Sequence, residues 1–332
     1  MTERPLLRVT RRLPPAVEQA VAEHFTVLGN LQDRPSTPES LHAALREADA
    51  VLGTVTDRFT AECFAGDPPR ARILANFGVG TNHIALDAAR AVGIVVTNTP
   101  DVLTDDTADL AILLMLAVLR RAGEGERELR AGRWTGWRPT HMVGTRLTGK
   151  TLGIVGLGRI GSAVARRARE GFGMRVLAWT RTRRDGAVSG ARTASSATTD
   201  GIELMSTLHE LLAASDIVSL HCPANPATRH LIDAEALAAM RPHAVLINTA
   251  RGDVVDEMAL VDALRAGRIA GAGLDVYEAE PLVNPGLLVR ENVVLLPHLG
   301  SATHESRDAM GLRALANLRA FFEGQDPPDR VA

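Results

Sequence analysis

The sequence predicts an α/β protein of two domains, one built on a doubly wound parallel sheet and one smaller, and three observations carry that prediction. Short apolar runs alternate with helix-like stretches along most of the 332 residues, the pattern imposed by parallel sheets covered with helices. The run 151–155 opens directly into Gly156-Leu-Gly-Arg-Ile-Gly161, after which Val164 and Ala168 continue the helical spacing begun at Ile160. Pro100 holds the residue before it extended and marks a crossover between two such halves.

In the first half, strands are expected at 6–9, 50–52, 72–75 and 94–97, and helices at 15–24, 38–47 and 84–91. Within it, Asn76-Phe-Gly-Val-Gly-Thr-Asn-His83 follows a strand and precedes a helix. The N–H groups of Val79, Gly80 and Thr81 there either converge on a substrate carboxylate or close an ordinary glycine-rich turn. Residues 102–130 read as one long packing helix, apolar over 110–119. Trp134-Thr-Gly-Trp-Arg-Pro139 gathers two of the three tryptophans in one loop, where they pack locally, cover a pocket or meet a partner. Beyond the glycine turn a strand is expected at 174–179, then a surface insertion rich in small polar residues, 186–201, to which no function is assigned. Strands at 217–220, 245–247, 270–275 and 293–296 follow, with helices at 208–214, 234–240 and 257–265 and a last helix at 304–323.

In its strand-turn-helix setting the glycine turn reads as a dinucleotide-binding fingerprint. Gly156 permits the tight turn, Gly158 lets the backbone reach a pyrophosphate, and Gly161 lets the helix pack on the strand. The phosphates then sit at a helix N-terminus, with Arg159 and Ile160 in its first turn. The next strand ends in Trp179-Thr-Arg-Thr-Arg-Arg184, with no acid at Thr180 or Arg181 to bond the ribose hydroxyls. Thr180, Arg181 and Thr182 suit a ribose 2′-phosphate, so NADP(H) is preferred and NAD(H) is second, unless the arginines merely solvate a turn. His221, Cys222 and Pro223 end another strand and either line the cofactor crevice or pack beneath it. The expected domains are a flavodoxin-like one, 1–100 with 299–332, for substrate, and a Rossmann one, 101–298, for nucleotide.

A net charge of −2 leaves no footprint for nucleic acid. The charged start does not suit a signal peptide, and no apolar run is long enough for a membrane span, so a cytoplasmic protein acting on a small molecule is expected. Cys63 and Cys222 lack metal-ligand spacing, and no metal is expected. Lys150, the one lysine, is a poor candidate for Schiff-base chemistry.

Three polar signals stand at strand ends: Asn248-Thr-Ala-Arg-Gly252, Asp275 through Glu280-Pro281, and Pro297-His298-Leu-Gly-Ser301. Ligands of doubly wound sheets bind beyond the carboxyl ends of the strands, so all three are expected on one crevice, with Thr249, Ala250, Arg251, Asp275, His298 and Gly300 near the cofactor. A carbonyl reduced by nicotinamide develops alkoxide character and needs a proton donor and a cation. Histidine is the side chain suited to proton transfer near neutral pH, so His298 supplies the proton, Glu280 steadies its imidazolium, and Arg251 forks onto a 2-oxo acid. Each alone has an ordinary reading as a surface arginine, a turn or a crossover histidine; together, beside the fingerprint, they read as a hydride-transfer site.

With these residues in place, the chain resembles the D-isomer-specific 2-hydroxyacid dehydrogenase family from about residue 6 to 323. The resemblance is carried by the fingerprint, Asn248-Thr-Ala-Arg-Gly-Asp253, Gly273-Leu-Asp-Val276, Glu280-Pro281 and Pro297-His298. In its tryptophan and arginine segments the chain is most similar to the glyoxylate/hydroxypyruvate reductase branch. The resemblance implies Arg251, Glu280 and His298 as the catalytic set and Asp275 near the nicotinamide carboxamide. It implies Val79 and Gly80, with Arg251 and His298, on the substrate. It also implies a homodimer, a closing interdomain cleft, and a tryptophan loop near the partner's active site. The chain departs from the pattern at Asn82, where many members carry an acid, and in the length of its insertion. The expected reaction is reduction of glyoxylate or hydroxypyruvate to the D-2-hydroxy acid. The alternatives are a phosphoglycerate- or D-lactate-type enzyme and a nucleotide-sensing corepressor-like protein.

Overall fold

The computed structural model of the chain describes residues 4–181, 198–199 and 201–332. The expectation at Thr182 and nearly all of the insertion lie outside the described residues. Contacts group the chain into two units, Met1–Leu103 with Ala302–Ala332, and Thr104–Ser301.

In the first unit β1 (Leu6–Val9), β2 (Thr26–Leu28), β3 (Ala50–Thr54), β4 (Ile73–Phe77) and β5 (Val95–Thr97) form a parallel sheet in the order β2-β1-β3-β4-β5, the flavodoxin-like order. The helices α1 (Pro15–His24), α2 (Pro38–Glu47), α3 (Ala61–Phe64) and α4 (Leu86–Ala91) alternate with these strands. β4 is buried throughout, and its residues divide by alternation: Ile73 and Ala75 join Leu7, Val17 and Leu52 on one face, and Leu74 joins Leu41, Val51 and Val96 on the other. β2 was not expected, because this short edge strand exposes Thr26 and Val27 and so has no apolar signature.

The second unit corrects the long helix expected over 102–130. It is two helices, α5 (Thr104–Leu119) and α6 (Ala122–Arg130). Between them Arg121 adopts a left-handed φ of 54° and pairs with Glu124 at 2.7 Å. The break falls where apolar sequence gives way to charged sequence, so a buried helix ends and an exposed one begins.

There follow β6 (Thr151–Val155), α7 (Arg159–Phe172), β7 (Arg175–Trp179), β8 (Thr198–Thr199), β9 (Ile202–Leu204), α8 (Leu208–Ala214) and β10 (Ile217–Leu220). The unit ends with α9 (Ala234–Ala239), β11 (Val245–Asn248), α10 (Glu257–Arg265), β12 (Gly271–Leu274), α11 (Pro285–Leu288) and β13 (Val293–Leu295). Its sheet runs β13-β12-β11-β10-β6-β7-β9-β8, parallel except for the antiparallel edge pair β8 and β9. Chain order reverses at β6, which lies between β7 and β10; that switch point is where a Rossmann sheet opens its crevice. Both faces are covered. Leu114 and Met115 of α5 pack with Ile154, Ile217 and Ile247, while Val155, Val218 and Leu246 face the opposite layer.

α12 (His304–Phe322) returns to the first unit, its N-terminus capped by Thr303 Oγ1, which accepts the Ser306 N–H at 3.0 Å. Ser306 donates to the Val102 carbonyl, and the buried Asn317 donates to the Asn98 carbonyl, so this helix is tied to the segment that follows β5. Cys63 and Cys222 are both free and buried. No helix among the described residues is long and apolar enough to cross a membrane.

Candidate active site

The three fingerprint glycines are required for different reasons, and the structure separates them. Gly156 sits at φ 98°, where a Cβ would stand 2.8 Å from the Cys222 nitrogen and 2.9 Å from the His221 carbonyl oxygen. Here the ends of β6 and β10 close on each other. A Cβ at Gly161 would collide with the Gly156 carbonyl oxygen and stand 3.2 Å from Ile154 Cγ2, so α7 packs there against its own turn. Gly158, the residue before the first turn of α7, has nothing among the described residues within 4 Å of the Cβ it lacks. The chain's own packing explains the first and third glycines. The open space over the helix N-terminus, beside Arg159 and Ile160, explains the second.

Among the described residues, two buried polar atoms beyond the neighbouring strand ends have no partner: His221 Nδ1, past β10, and Thr249 Oγ1, past β11. Buried polar atoms are ordinarily hydrogen-bonded, so these two fit a polar ligand laid across the strand ends, and a dinucleotide suits the turn beside them. The other His221 nitrogen lies 2.8 Å from Ser219 Oγ, and burial lowers the ring's pKa to about 4, which keeps it neutral. Burial also pushes the Cys222 thiol up to about 11, leaving it protonated and unreactive. Pro223 is exposed beside them. Thr180 and Arg181 follow β7, and Arg181 is exposed with Nη1 3.5 Å from Asn225 Oδ1.

The charged cluster is built by three strand-end segments of the same unit. His298 Nδ1 lies 2.9 Å from Glu280 Oε2. Glu280 Oε1 accepts the Tyr277 N–H at 3.0 Å, and the Tyr277 hydroxyl donates to the Leu296 carbonyl at 2.8 Å. Burial works to raise the Glu280 pKa, but the bond to His298, the His298 charge, the Tyr277 N–H and the Arg251 charge outweigh it and hold the carboxyl below its usual value.

His298 has a left-handed φ of 56°, a conformation that costs a non-glycine residue about 1 kcal/mol. Asp275 offsets this. Its carbonyl accepts the His298 N–H at 2.9 Å, and its carboxylate accepts the N–H of Leu299 at 2.6 Å and of Gly300 at 2.8 Å. Asp275 is 1 % exposed, and burial raises its pKa. Thr107 Oγ1 fixes the Gly300 carbonyl at 2.8 Å.

Arg251 is half-buried; burial draws its pKa down, against the charges of Glu280 and Asp253. The Asn248 side chain shapes its loop, donating to the Arg251 carbonyl at 2.8 Å and accepting the Ala250 N–H at 3.0 Å.

Two supporting residues escaped the sequence reading. A Cβ at Gly252 would collide with the Tyr277 backbone, and Glu257, 7 % exposed at the start of α10, accepts the Glu278 N–H at 2.6 Å. Together they press and bind the segment that carries Glu280. The glycine after Arg251 was a usable signal; a buried acid in a helix's first turn was not.

Val79 and Gly80 lie in the first unit, in the loop after β4, apart in sequence from the charged cluster of the second. The carbonyls of that loop are bonded back to the protein: Gly78 O accepts from Asn76 Nδ2 and the Thr99 N–H, Val79 O from Asn98 Nδ2, and Gly80 O from Asn76 Nδ2. Among the described residues, the N–H groups of Val79 and Gly80 donate to nothing. Trp134 and Trp137 are 51 % and 80 % exposed, so neither is a locally packed core residue.

A doubly wound nucleotide sheet with an arginine, a glutamate and a histidine at its strand ends defines a class of dehydrogenase. Residues 112–300 match the family model for the D-isomer specific 2-hydroxyacid dehydrogenase, NAD binding domain, and the chain belongs to that family. It is 43% identical to the glyoxylate reductase of Thermococcus litoralis over 334 residues, covering 99% of this chain and 97% of that protein. It is 44% identical to the glyoxylate reductase of Thermococcus kodakarensis over 332 residues, 99% of this chain and 96% of that one. Among solved structures it is similar to the NADPH-dependent glyoxylate/hydroxypyruvate reductase of Sinorhizobium meliloti in complex with NADP and malonate. That likeness has a TM-score of 0.85 at 38% identity over 99% of this chain and 97% of the other.

Proposed function

We propose that this protein is an oxidoreductase that reduces a small 2-oxo acid, glyoxylate or hydroxypyruvate, to the D-2-hydroxy acid with a nicotinamide dinucleotide, NADPH in preference to NADH. The observation that carries this reading is the His298–Glu280 pair at 2.9 Å, with the Arg251 charge acting on Glu280, at the strand ends of a sheet whose fingerprint turn is open over Gly158. The relatives named glyoxylate reductase, and the Sinorhizobium enzyme with NADP and malonate, support the substrate class and the cofactor.

When bound, the cofactor supplies the hydride to the carbonyl carbon. His298 has Nδ1 engaged by Glu280, so Nε2 is the nitrogen that gives its proton to the carbonyl oxygen. Glu280 holds the ring in place and stabilises the imidazolium before the transfer. Arg251 anchors the substrate and offsets the charge that develops on oxygen. Val79 and Gly80 would take the substrate carboxylate, Thr180 and Arg181 would hold the ribose 2′-phosphate, and Asp275 would serve the nicotinamide carboxamide. The exposed Trp134 and Trp137 fit burial against a second copy in a homodimer.

The test is the initial rate of NADPH and NADH oxidation with glyoxylate, hydroxypyruvate and pyruvate, repeated on Arg181→Asp. Fast NADPH oxidation with glyoxylate or hydroxypyruvate, shifting about tenfold towards NADH in the variant, is the expected result. Tight nucleotide binding without turnover contradicts the reading and favours a nucleotide sensor.

A further inference from the structure

The free N–H groups of Val79 and Gly80 are not a property of the glycines alone. A flexible glycine loop turns its carbonyls outward as readily as its N–H groups, and carbonyl oxygens at this place repel a carboxylate. Here the carbonyls are held inward, chiefly by one side chain. Asn76 is 1 % exposed at the buried end of β4, and its Nδ2 lies 2.9 Å from Gly78 O and 3.0 Å from Gly80 O. Its backbone carbonyl accepts the Gly78 N–H at 2.9 Å, which tightens the same turn. The side chain's remaining atom, Oδ1, lies 3.1 Å from His83 Nε2.

The donor inventory then fixes both groups. The Gly78 and Gly80 carbonyls only accept, so the Asn76 NH₂ must face them and Oδ1 must face His83. Because Oδ1 only accepts, His83 must carry its proton on Nε2. A histidine with Nε2 bare would turn the Asn76 amide round and set an oxygen against two carbonyl oxygens.

From this chain of donors we infer that Asn76 and His83 are positioning residues for the substrate: His83 donates to Asn76, Asn76 draws the loop carbonyls inward, and the Val79 and Gly80 N–H groups are thereby presented to a carboxylate. The pair acts on substrate affinity and leaves nucleotide binding and the proton transfer at His298 untouched. The inference rests on the reading of Val79 and Gly80 as the carboxylate site. Gly78 contributes by its size, since a Cβ there would stand 2.5 Å from Val55 Cγ1 and push the loop off its seat.

The experiment measures KM and kcat for glyoxylate at saturating NADPH, with the NADPH dissociation constant, for wild type, Asn76→Asp, His83→Leu and His83→Gln. The carboxylate of Asn76→Asp would offer only acceptors to the two carbonyls, so the KM of this variant is expected to rise at least tenfold while kcat stays within about threefold and nucleotide affinity is unchanged. His83→Leu is expected to raise KM severalfold, and His83→Gln, which keeps a donor at the same reach, to restore most of the affinity. KM values for Asn76→Asp and His83→Leu within twofold of wild type overturn the inference, as does an equal rise in KM for His83→Gln and His83→Leu. The imidazole ¹⁵N shifts of wild-type His83 give a test that needs no variant to fold: the Nε2–H tautomer is expected, and Nδ1–H overturns it. A wild type that turns over no 2-oxo acid defeats the proposed function instead, while the tautomer still decides the pairing.

Discussion

Two glycine-rich strand-to-helix turns present backbone N–H groups in this protein, and they do so by different means. The turn after β6 works by steric exclusion: Gly156 and Gly161 let strand, turn and helix approach more closely than any side chain permits, and Gly158 leaves the helix N-terminus open. The turn after β4 works by hydrogen bonding, with the Asn76 amide bonded to the Gly78 and Gly80 carbonyls and His83 against its oxygen. A steric device is written in glycine spacing. A hydrogen-bonded one resides in a polar residue before the glycines, and spacing does not reveal it.

The contrast is sharpest within the first turn. Gly161→Val must displace the Gly156 carbonyl and Ile154, and is expected to cost about 3 kcal/mol of stability, the upper range for an overpacked core site. Chemical denaturation checks this, and a loss below about 1 kcal/mol, the lower end of that range, would remove the close helix–strand contact from the account. At Gly158 an added Cβ meets nothing among the described residues and the backbone conformation is ordinary (φ −85°), so the melting temperature of Gly158→Val is expected to stay near wild type. Its dinucleotide affinity is expected to fall on the order of a hundredfold, about 2.7 kcal/mol, because the side chain fills the space left for pyrophosphate. Calorimetric titration with NADPH separates the two variants; wild-type affinity in Gly158→Val places the phosphates elsewhere.

A smaller effect sets both turns against the His298–Glu280 ion pair of the cluster. The His298 bond holds the Glu280 pKa below its unfolded value, so the pair's contribution to stability is present above the usual carboxylate range. It is lost as pH falls through the lower folded value. The stability difference between wild type and Glu280→Gln is therefore expected to be largest near neutrality and to shrink on acidification. A difference that grows on acidification would contradict the assigned direction.

How much could be read from residues alone follows the same division. The buried parallel strands, the fingerprint and the order of elements stood in apolar runs and glycines, because burial on both faces leaves little freedom of composition. The break at Arg121 did not, since helical periodicity continues across it and only a left-handed residue ends the run. β2 lacked a signal because most of its short length faces water. At the candidate site, Arg251, Glu280 and His298 were visible as polar residues at strand ends. The parts that hold them were not: the left-handed turn at His298 depends on Asp275 accepting two N–H groups, and the Glu280 segment depends on a glycine and a buried glutamate from α10. Such support joins residues distant in sequence, whose side chains carry no periodicity of their own.

The most direct test of the central claim is His298→Asn, measured for NADPH affinity and for the single-turnover rate of glyoxylate reduction. Asparagine keeps a polar side chain of smaller size but cannot donate the proton as an imidazolium. The expected result is unchanged nucleotide affinity with a rate about a thousandfold lower, within the range that a positioned acid contributes. A rate within a few-fold of wild type, or a parallel loss of nucleotide binding, would contradict the assignment of His298 as the proton donor.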